Sequence, residues 1–433
     1  MKPVVVDMFC GGGGESSGIV PAYEAMGQRI ELHAINHWER AIETHAANYP
    51  WAEHWCTPVH ALDPAATIRG RRVDLLWASP ECTHHSNARG GRPKSDQFRA
   101  SAWEVLKWIQ DLFVRRVIIE NVPEFTGWGP LDDEGRVVKE RKGETFNAFL
   151  TALRSLGYEV EWRILNAADY GAPTTRRRLF IQAVRDGKRI MWPEPSHAQD
   201  RWIPASSIID WGIPGQSIFT RKRPLADATL RRIEHGIRKY WGDMAEPFLV
   251  VLRGTGTSRD IHRPAPTITA AGQHLGLVRP LVLNQWGGGE ARPVDQPLAT
   301  VGTTCAHRLI EPFIVQSEHG LRVHRSCRPM PTVTCSSRGF GLVEPFIVKY
   351  YGTAGARPTG APLDTVTARD RFGLVKGEPA SLDITFRMFT PGELAAAQGF
   401  PAGYRFTGNK TEQVRQIGNA VCPPVAQALV GRA

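Results

Sequence analysis

The sequence is short of everything that staples or anchors a chain. Seven cysteines (Cys10, Cys56, Cys82, Cys305, Cys327, Cys335 and Cys422) are an odd number, scattered, with no C-x-x-C pair. That excludes a disulfide framework or a short-spaced zinc site as the organising device and suits a reducing cytoplasm. No apolar run approaches a membrane span, and Met1 to Asp7 is too short an apolar stretch for a signal peptide. Acidic residues are in deficit: 53 Lys and Arg against 43 Asp and Glu leave a formal charge of +10. A basic protein of this size suits a polyanionic partner, although a basic surface kept for solubility explains the charge equally well. The apolar share is that of an ordinary globular protein, and 433 residues suggest two or three domains.

What is present begins with Val4 to Phe9, a buried parallel strand by its unbroken apolar run. Cys10-Gly11-Gly12-Gly13-Gly14-Glu15-Ser16-Ser17-Gly18 follows, then a helix from about Ile19 to Met26. A strand, a glycine turn and a helix open nucleotide-binding sheets, because glycine lets backbone N–H groups approach a ligand. A second strand over Ile30 to Ile35 ends at Asn36, where such sites usually carry a ribose-binding acid. Asp63, after a third short strand, can reach an adenine amino group. Val73 to Ala78 reads as the next buried strand and runs into Ser79-Pro80-Glu81-Cys82-Thr83-His84-His85-Ser86. Cys82 thus falls just past a strand end, where open α/β sheets place their chemistry. Its neighbours His84 and His85 lie too close to it to close a tetrahedral metal site without distant partners, so no metal is expected. Arg89 to Lys94 is a basic, turn-rich loop, and helical spacing covers Ala100 to Phe113. Val117 to Val122 predicts a strand carrying Glu120 at its C-terminal end, and a helix from Phe146 to Leu156 follows. Tyr158 to Leu165 alternates like a strand, and Arg176-Arg177-Arg178 leads into a last strand, Leu179 to Val184.

Six stretches in order resemble the DNA cytosine-C5 methyltransferases. They are Asp7 to Gly14, Pro80 to Ser86, Glu120-Asn121-Val122, Leu165 to Pro173 running into Arg176 to Arg178, Arg387 to Pro401, and Gln416 to Pro424. The resemblance implies an α/β, Rossmann-like, S-adenosylmethionine-dependent fold with an inserted, mainly β, repeat-containing target-recognition domain. It implies a nucleophile, Cys82, that attacks C6 of a flipped-out cytosine in double-stranded DNA. Glu120 binds N3 and the amino group, Arg178 holds O2, and Arg176 fixes the Cys82 loop or a phosphate. S-adenosylmethionine is expected against Asp7, Phe9, Gly11, Gly13, Asn36, Asp63, Pro80, Asn419 and Val421. The chain departs from the family at Glu81 (commonly proline), at His84-His85 (usually Gly-Phe), at Asn36, at Thr174 (a glutamine) and at Gly392 (an arginine). A carboxylate turned inward at Glu81 raises the pKa of the neighbouring thiol.

Composition shifts to Pro, Arg, Ser and Gly near residue 190. Pro247-Phe248-Leu249-Val250, Pro280-Leu281-Val282-Leu283, Pro312-Phe313-Ile314-Val315 and Pro345-Phe346-Ile347-Val348 then recur every 32 or 33 residues. Each is followed by a Pro-x-x-Thr-type element, and three units close on Gly-Leu-Val at Gly276, Gly341 and Gly373. A fixed period means stacked supersecondary units, each read as two short strands joined by a polar loop. Those loops are expected to carry Arg253, Arg259, Arg263, Arg292, Arg325, Arg357 and Arg371. DNA contacts are expected from Ser86, Arg89 and Arg92, and from Arg253, Arg292, Arg325 and Arg357, although any single arginine serves phosphate as readily as a base edge.

The expected division is 1–190 for the first part of the catalytic domain, 191–384 for the recognition domain with repeats at about 246–377, and 385–433 completing the catalytic domain. Thr390 to Gln398 predicts a helix ending at Gly399, and Gln416 is expected to begin the final helix. The reading is a monomeric, cytoplasmic, bacterial or phage DNA methyltransferase with neither membrane nor metal partner. Two alternatives stand beside it: a DNA-binding protein with an impaired methyltransferase core, and an RNA cytosine methyltransferase.

Overall fold

The computed structural model describes residues 2–81, 100–187, 189–218, 221–226, 229–230, 233, 248–251, 258–268, 270, 275–283, 291–293, 314–316, 322–324, 346–349, 356–358, 372–375 and 384–431. These form two units. One joins Met1–Asp210, Ile261–Gln273 and Phe389–Ala433; the other joins Trp211–Asp260 and His274–Met388.

The first unit is built on β1 (Val4–Met8), β2 (Glu31–Asn36), β3 (Glu53–Cys56), β4 (Val73–Ala78), β5 (Val114–Asn121), β6 (Glu159–Asn166) and β7 (Arg177–Val184). The sheet order is β3-β2-β1-β4-β5-β7-β6. β7 runs antiparallel to β5 and β6, and the other pairs are parallel. Strand order reverses between β1 and β4, so a crevice opens at their C-terminal ends.

Both faces of the sheet are covered, which is why the central strands are apolar throughout. Leu75, Trp77, Ile118 and Phe180 face a cluster holding Ile19 and Ala22 of α1 (Ser16–Ala25). Leu76, Val117 and Ile181 face the other way, toward Val105, Trp108 and Phe149. Those three belong to α4 (Trp103–Asp111) and α5 (Glu144–Ser155); the earlier helices are α2 (Glu39–Asn48) and the short α3 (Pro64–Thr67).

The chain end supplies α6 (Pro391–Gln398), α7 (Lys410–Asn419) and α8 (Pro423–Val430). Here the sequence reading needs correction. Gln416 does not begin the final helix; it lies in the last turns of α7. Asn409 caps α7 in a reciprocal box with Glu412, and Pro423 starts α8 after the extended Ala420. Val425, Ala426, Leu429 and Val430 of α8 lie with Ile19, Ala22 and Tyr23 of α1 in one core. Gly18 permits the approach: a Cβ there would come within 2.6 Å of the Ala426 Cβ.

In the second unit the repeat becomes four antiparallel hairpins. β9 (Phe248–Val251) pairs with β10 (Ser258–Asp260), and β11 (Leu275–Leu283) with β12 (Ala291–Pro293). β13 (Ile314–Gln316) pairs with β14 (Arg322–His324), and β15 (Phe346–Lys349) with β16 (Ala356–Pro358). The Gly-Leu-Val close is itself a strand. Gly276 to Val278 pairs with β9, and β17 (Phe372–Val375) pairs with β15. β11 then runs on from one unit's close into the next unit's opening strand. The arginines also move: Arg259, Arg292 and Arg357 are strand residues rather than loop residues. They sit opposite Leu249, Val282 and Ile347, the same register position in three hairpins. β18 (Ile384–Met388) pairs with β11 and with β8 (Gln216–Ser217).

Candidate active site and cofactor crevice

The turn after β1 is strained where it meets the crevice. Phe9 has φ 62, a left-handed conformation that bulky residues avoid. Gly11 has φ 50, and a Cβ there would find only the Phe9 carbonyl, 3.9 Å away, so its front is open. Gly13 and Gly14 are closed from behind. The Tyr404 hydroxyl occupies the space beside Gly13 and donates to the Gly12 carbonyl at 2.6 Å. A Cβ at Gly14 would lie 2.9 Å from the Ala420 Cβ. Val421 is buried beside this turn, whereas Asn419 is exposed at the end of α7.

Asp7 is fully buried. Its Oδ2 accepts from Ser16 Oγ at 2.6 Å, and its Oδ1 has no hydrogen-bond partner. Burial raises its carboxyl to about 7. Ser16 Oγ also meets His45 Nε2 at 3.0 Å, and His45 Nδ1 meets His54 Nε2 at 2.9 Å. Burial lowers His45 to about 3, so this imidazole stays neutral. Sequence reasoning missed the Ser16–His45–His54 chain, since a histidine on an amphipathic helix carries no signal by itself.

Two expected cofactor residues are engaged locally. Asn36 Oδ1 accepts from the Trp38 N–H at 2.9 Å, and Asp63 caps α3 by accepting from the Ala66 N–H at 2.9 Å. Pro80 is buried, and Asn121 Nδ2 donates to its carbonyl at 3.2 Å. Asn121 thus ties the end of β5 to the segment that leads to Cys82. Glu81 is exposed. Cys82 itself, with Ser86, Arg89 and Arg92, lies outside the described residues, as do Arg253 and Arg325. For Arg292 and Arg357 the structure gives only the strand position.

At the end of β5, Glu120 is buried, and Arg178 Nε on β7 stands 3.0 Å from its Oε1. Burial raises the Glu120 carboxyl even against the opposing charges of Arg178 and Arg176. The arginine triplet splits by strand alternation. Arg177 is exposed, Arg178 turns toward Glu120, and Arg176 is 2 % exposed. The expected role of Arg176 at a phosphate gives way to another, because its Nη1 donates to the carbonyls of Ile268 at 2.9 Å and Gly418 at 3.0 Å. Burial leaves this guanidinium a strut that joins three distant segments. Thr174, in place of a glutamine, is fully buried and pairs with Ala265, which brings 261–268 against the turn. A recess beside this strut is lined by Leu165, Arg176, Arg178, Phe180, Val421 and Cys422.

The buried thiols of Cys10 and Cys422 are both pushed up by burial, Cys422 to about 11, so neither suits a thiolate nucleophile. Among the described residues no group of His, Cys, Asp and Glu could hold a metal ion. No helix among them is long and apolar enough to cross a membrane.

The C-5 cytosine-specific DNA methylase family matches residues 4–212 and 356–433, well over half the chain. The chain belongs to that family. Its members use S-adenosylmethionine, and the protein is accordingly classed as a C5-cytosine DNA methyltransferase. Among curated relatives, Type II methyltransferase M.AgeI of Thalassovita gelatinovora is 24% identical across 98% of this chain and 97% of its own length. DNA (cytosine-5)-methyltransferase 1 of Mus musculus is 26% identical across 98% of this chain, which spans only 28% of that protein. Of solved structures, a putative DNA modification methyltransferase encoded within an E. coli prophage aligns with TM-score 0.51 at 16% identity, covering 99% of this chain and 98% of that one. S. pombe Dnmt2 aligns with TM-score 0.52 at 13% identity, covering 100% and 98%. These last two bear on fold alone. The crevice fits the family's cofactor: it offers an open glycine turn and a buried carboxylate oxygen that lacks a partner.

Proposed function

We propose that this enzyme methylates C5 of cytosine in double-stranded DNA through a covalent bond from Cys82 to C6. The observation that carries the reading is the Glu120–Arg178 pair, set at the strand end beside β4, from which the Cys82 segment departs. C6 of a stacked base is out of reach, so the cytosine must be turned out of the helix. Glu120, held toward its protonated form by burial, donates to N3 and accepts from the amino group. Arg178 supports Glu120 and faces O2. The Cys82 thiolate bonds to C6, which makes C5 nucleophilic. S-adenosylmethionine, when bound, supplies the methyl group. Loss of the C5 proton then expels Cys82 and restores the ring; a thiolate serves because it is both a strong nucleophile and a competent leaving group.

In this reading the second unit is the recognition domain, with Arg259, Arg292 and Arg357 in register as its candidate DNA readers. The division at 1–190, 191–384 and 385–433 is proposed on the same basis. We also read the protein as a monomer acting in a bacterial or phage-infected cytoplasm, since the chemistry needs a single chain and free thiols.

The test is transfer of label from S-adenosylmethionine to mixed-sequence duplex DNA, followed by base analysis. Label is expected in 5-methylcytosine. Cys82→Ala is expected to abolish transfer while DNA binding persists. Label absent from cytosine C5 with folded protein, or transfer surviving in Cys82→Ala, overturns the reading.

A further inference from the structure

One buried acid beside the glycine turn has no part in these steps. Glu15 is 2 % exposed and follows directly on Gly14. Its side chain is hydrogen-bonded by Ser79, the first residue past β4, and Trp77 Nε1 donates to the Ser79 hydroxyl at 3.3 Å. The Glu15–Ser79 bond therefore links the turn after β1 to the exit of β4, the two sides of the crevice. Asp7, on the last turn-ward residues of β1, contributes a second buried carboxyl whose Oδ1 has no hydrogen-bond partner. Room for a ligand lies in front of Gly11.

Neither acid is met by a cation among the described residues. The groups that face them are Ser16 with the neutral His45 from α2, the raised thiol of Cys10 in the turn, the raised hydroxyls of Tyr49 and Tyr404, and Glu120 on β5. His54 on β3 reaches Asp7 only through His45 and Ser16, and its imidazole is lowered by burial. Arg178 and Arg176 act on Glu120. Two buried carboxylates cannot both stay ionised without a positive charge between them. In the ligand-free chain that charge is a proton, and burial accordingly raises both groups.

We propose that Asp7 and Glu15 form a carboxyl pair that recognises the positively charged sulfur of S-adenosylmethionine, with Glu15 separating the cofactor from its uncharged thioether product. This rests on the reading of the crevice as the cofactor site. The pair releases its shared proton to solvent when the cation enters. Once the methyl group has left and the sulfur is neutral, the pair takes a proton back and its hold weakens. A hydrophobic residue at position 15 could hold the turn as well, but it could not tell the two ligands apart.

The test is titration calorimetry of the full chain with S-adenosylmethionine and with S-adenosylhomocysteine, in buffers of different ionisation enthalpy, between pH 6 and 8. The wild type is expected to release about one proton more with the sulfonium than with the thioether. Its affinity for the sulfonium rises with pH, because the competing proton is lost, while affinity for the thioether changes less. Glu15→Gln is expected to cut the preference for the sulfonium about tenfold, the equivalent of one pKa unit. Equal proton release for both ligands in the wild type overturns the inference while leaving the cofactor site intact. An unchanged preference in folded Glu15→Gln does the same. Binding of neither ligand by folded protein overturns the site reading and the inference with it. If Glu15→Gln does not fold, the wild-type proton count decides.

Discussion

Arg176 and Arg178 lie one strand repeat apart, yet burial gives them different work. Arg178 keeps its guanidinium beside Glu120 at the crevice, with a side chain 16% exposed. Arg176 is 2 % exposed and donates to backbone carbonyls of two other segments. Truncating it leaves buried acceptors without a donor, at a cost of about 1–3 kcal/mol for such a group. Arg176→Ala is therefore expected to lower the thermal midpoint and to lose activity in parallel with folded protein. Arg178→Ala is expected to leave the midpoint nearly unchanged and lower kcat, since Glu120 loses its support in the step it serves. Differential scanning fluorimetry beside a steady-state methylation assay checks both. A midpoint unmoved by Arg176→Ala would return that residue to the catalytic set. The distinction was out of reach of the sequence, because three consecutive arginines reveal nothing of which one the fold buries.

At the scale of elements, the chain end depends on its helix caps. Thr390 accepts from the Glu393 N–H at 3.2 Å, and Glu393 returns the bond to the Thr390 N–H at 2.8 Å. Asn409 and Glu412 repeat the device at α7, at 3.0 and 2.8 Å. Thr390→Ala and Asn409→Ala are each expected to cost about 1 kcal/mol. Because the two caps share no partner, the double variant should cost their sum in chemical denaturation. Thr390 was readable in advance, with Pro391 and Gly399 marking the helix at both ends. Asn409 was not, because the polar run into Lys410 looks like loop until its reciprocal partner is seen. The same contrast holds across the fold. Val4–Met8, Val73–Ala78 and Val114–Asn121 announce themselves as apolar runs. The third strand of each repeat does not, since Gly-Leu-Val is too short to carry a period. In the site, Glu120, Arg178 and the glycine turn were legible from residue type and order. Glu15 and the chain from Ser16 to His54 were not, because their significance comes from burial and from partners many residues away.

The molecule as a whole closes its catalytic unit with residues more than 350 positions from where it begins. α8 lies with α1 in one core, and Arg116 on β5 donates to the Leu429 carbonyl at 2.8 Å and to Gln182 Oε1 at 2.6 Å. That bond ties the chain terminus to the central sheet, and burial lowers the guanidinium to about 10. The same helix junction places Ala420 and Val421 behind Gly14. Packing at the terminus and the shape of the cofactor turn are thus one structural fact. Leu429 is fully buried, so Leu429→Ala removes packing and opens a cavity worth about 2–5 kcal/mol. The expected outcome reaches beyond α8. Amide exchange should speed up in α1 and in the turn from Gly11 to Gly14, and cofactor affinity should fall although Leu429 touches no ligand. The second unit, Trp211–Asp260 with His274–Met388, has its own strands and should keep its exchange rates. Exchange mass spectrometry on the full chain separates the two behaviours. Loosening confined to α8 would show that the cofactor turn holds its shape without the terminus, and uniform loosening would show that the two units unfold as one.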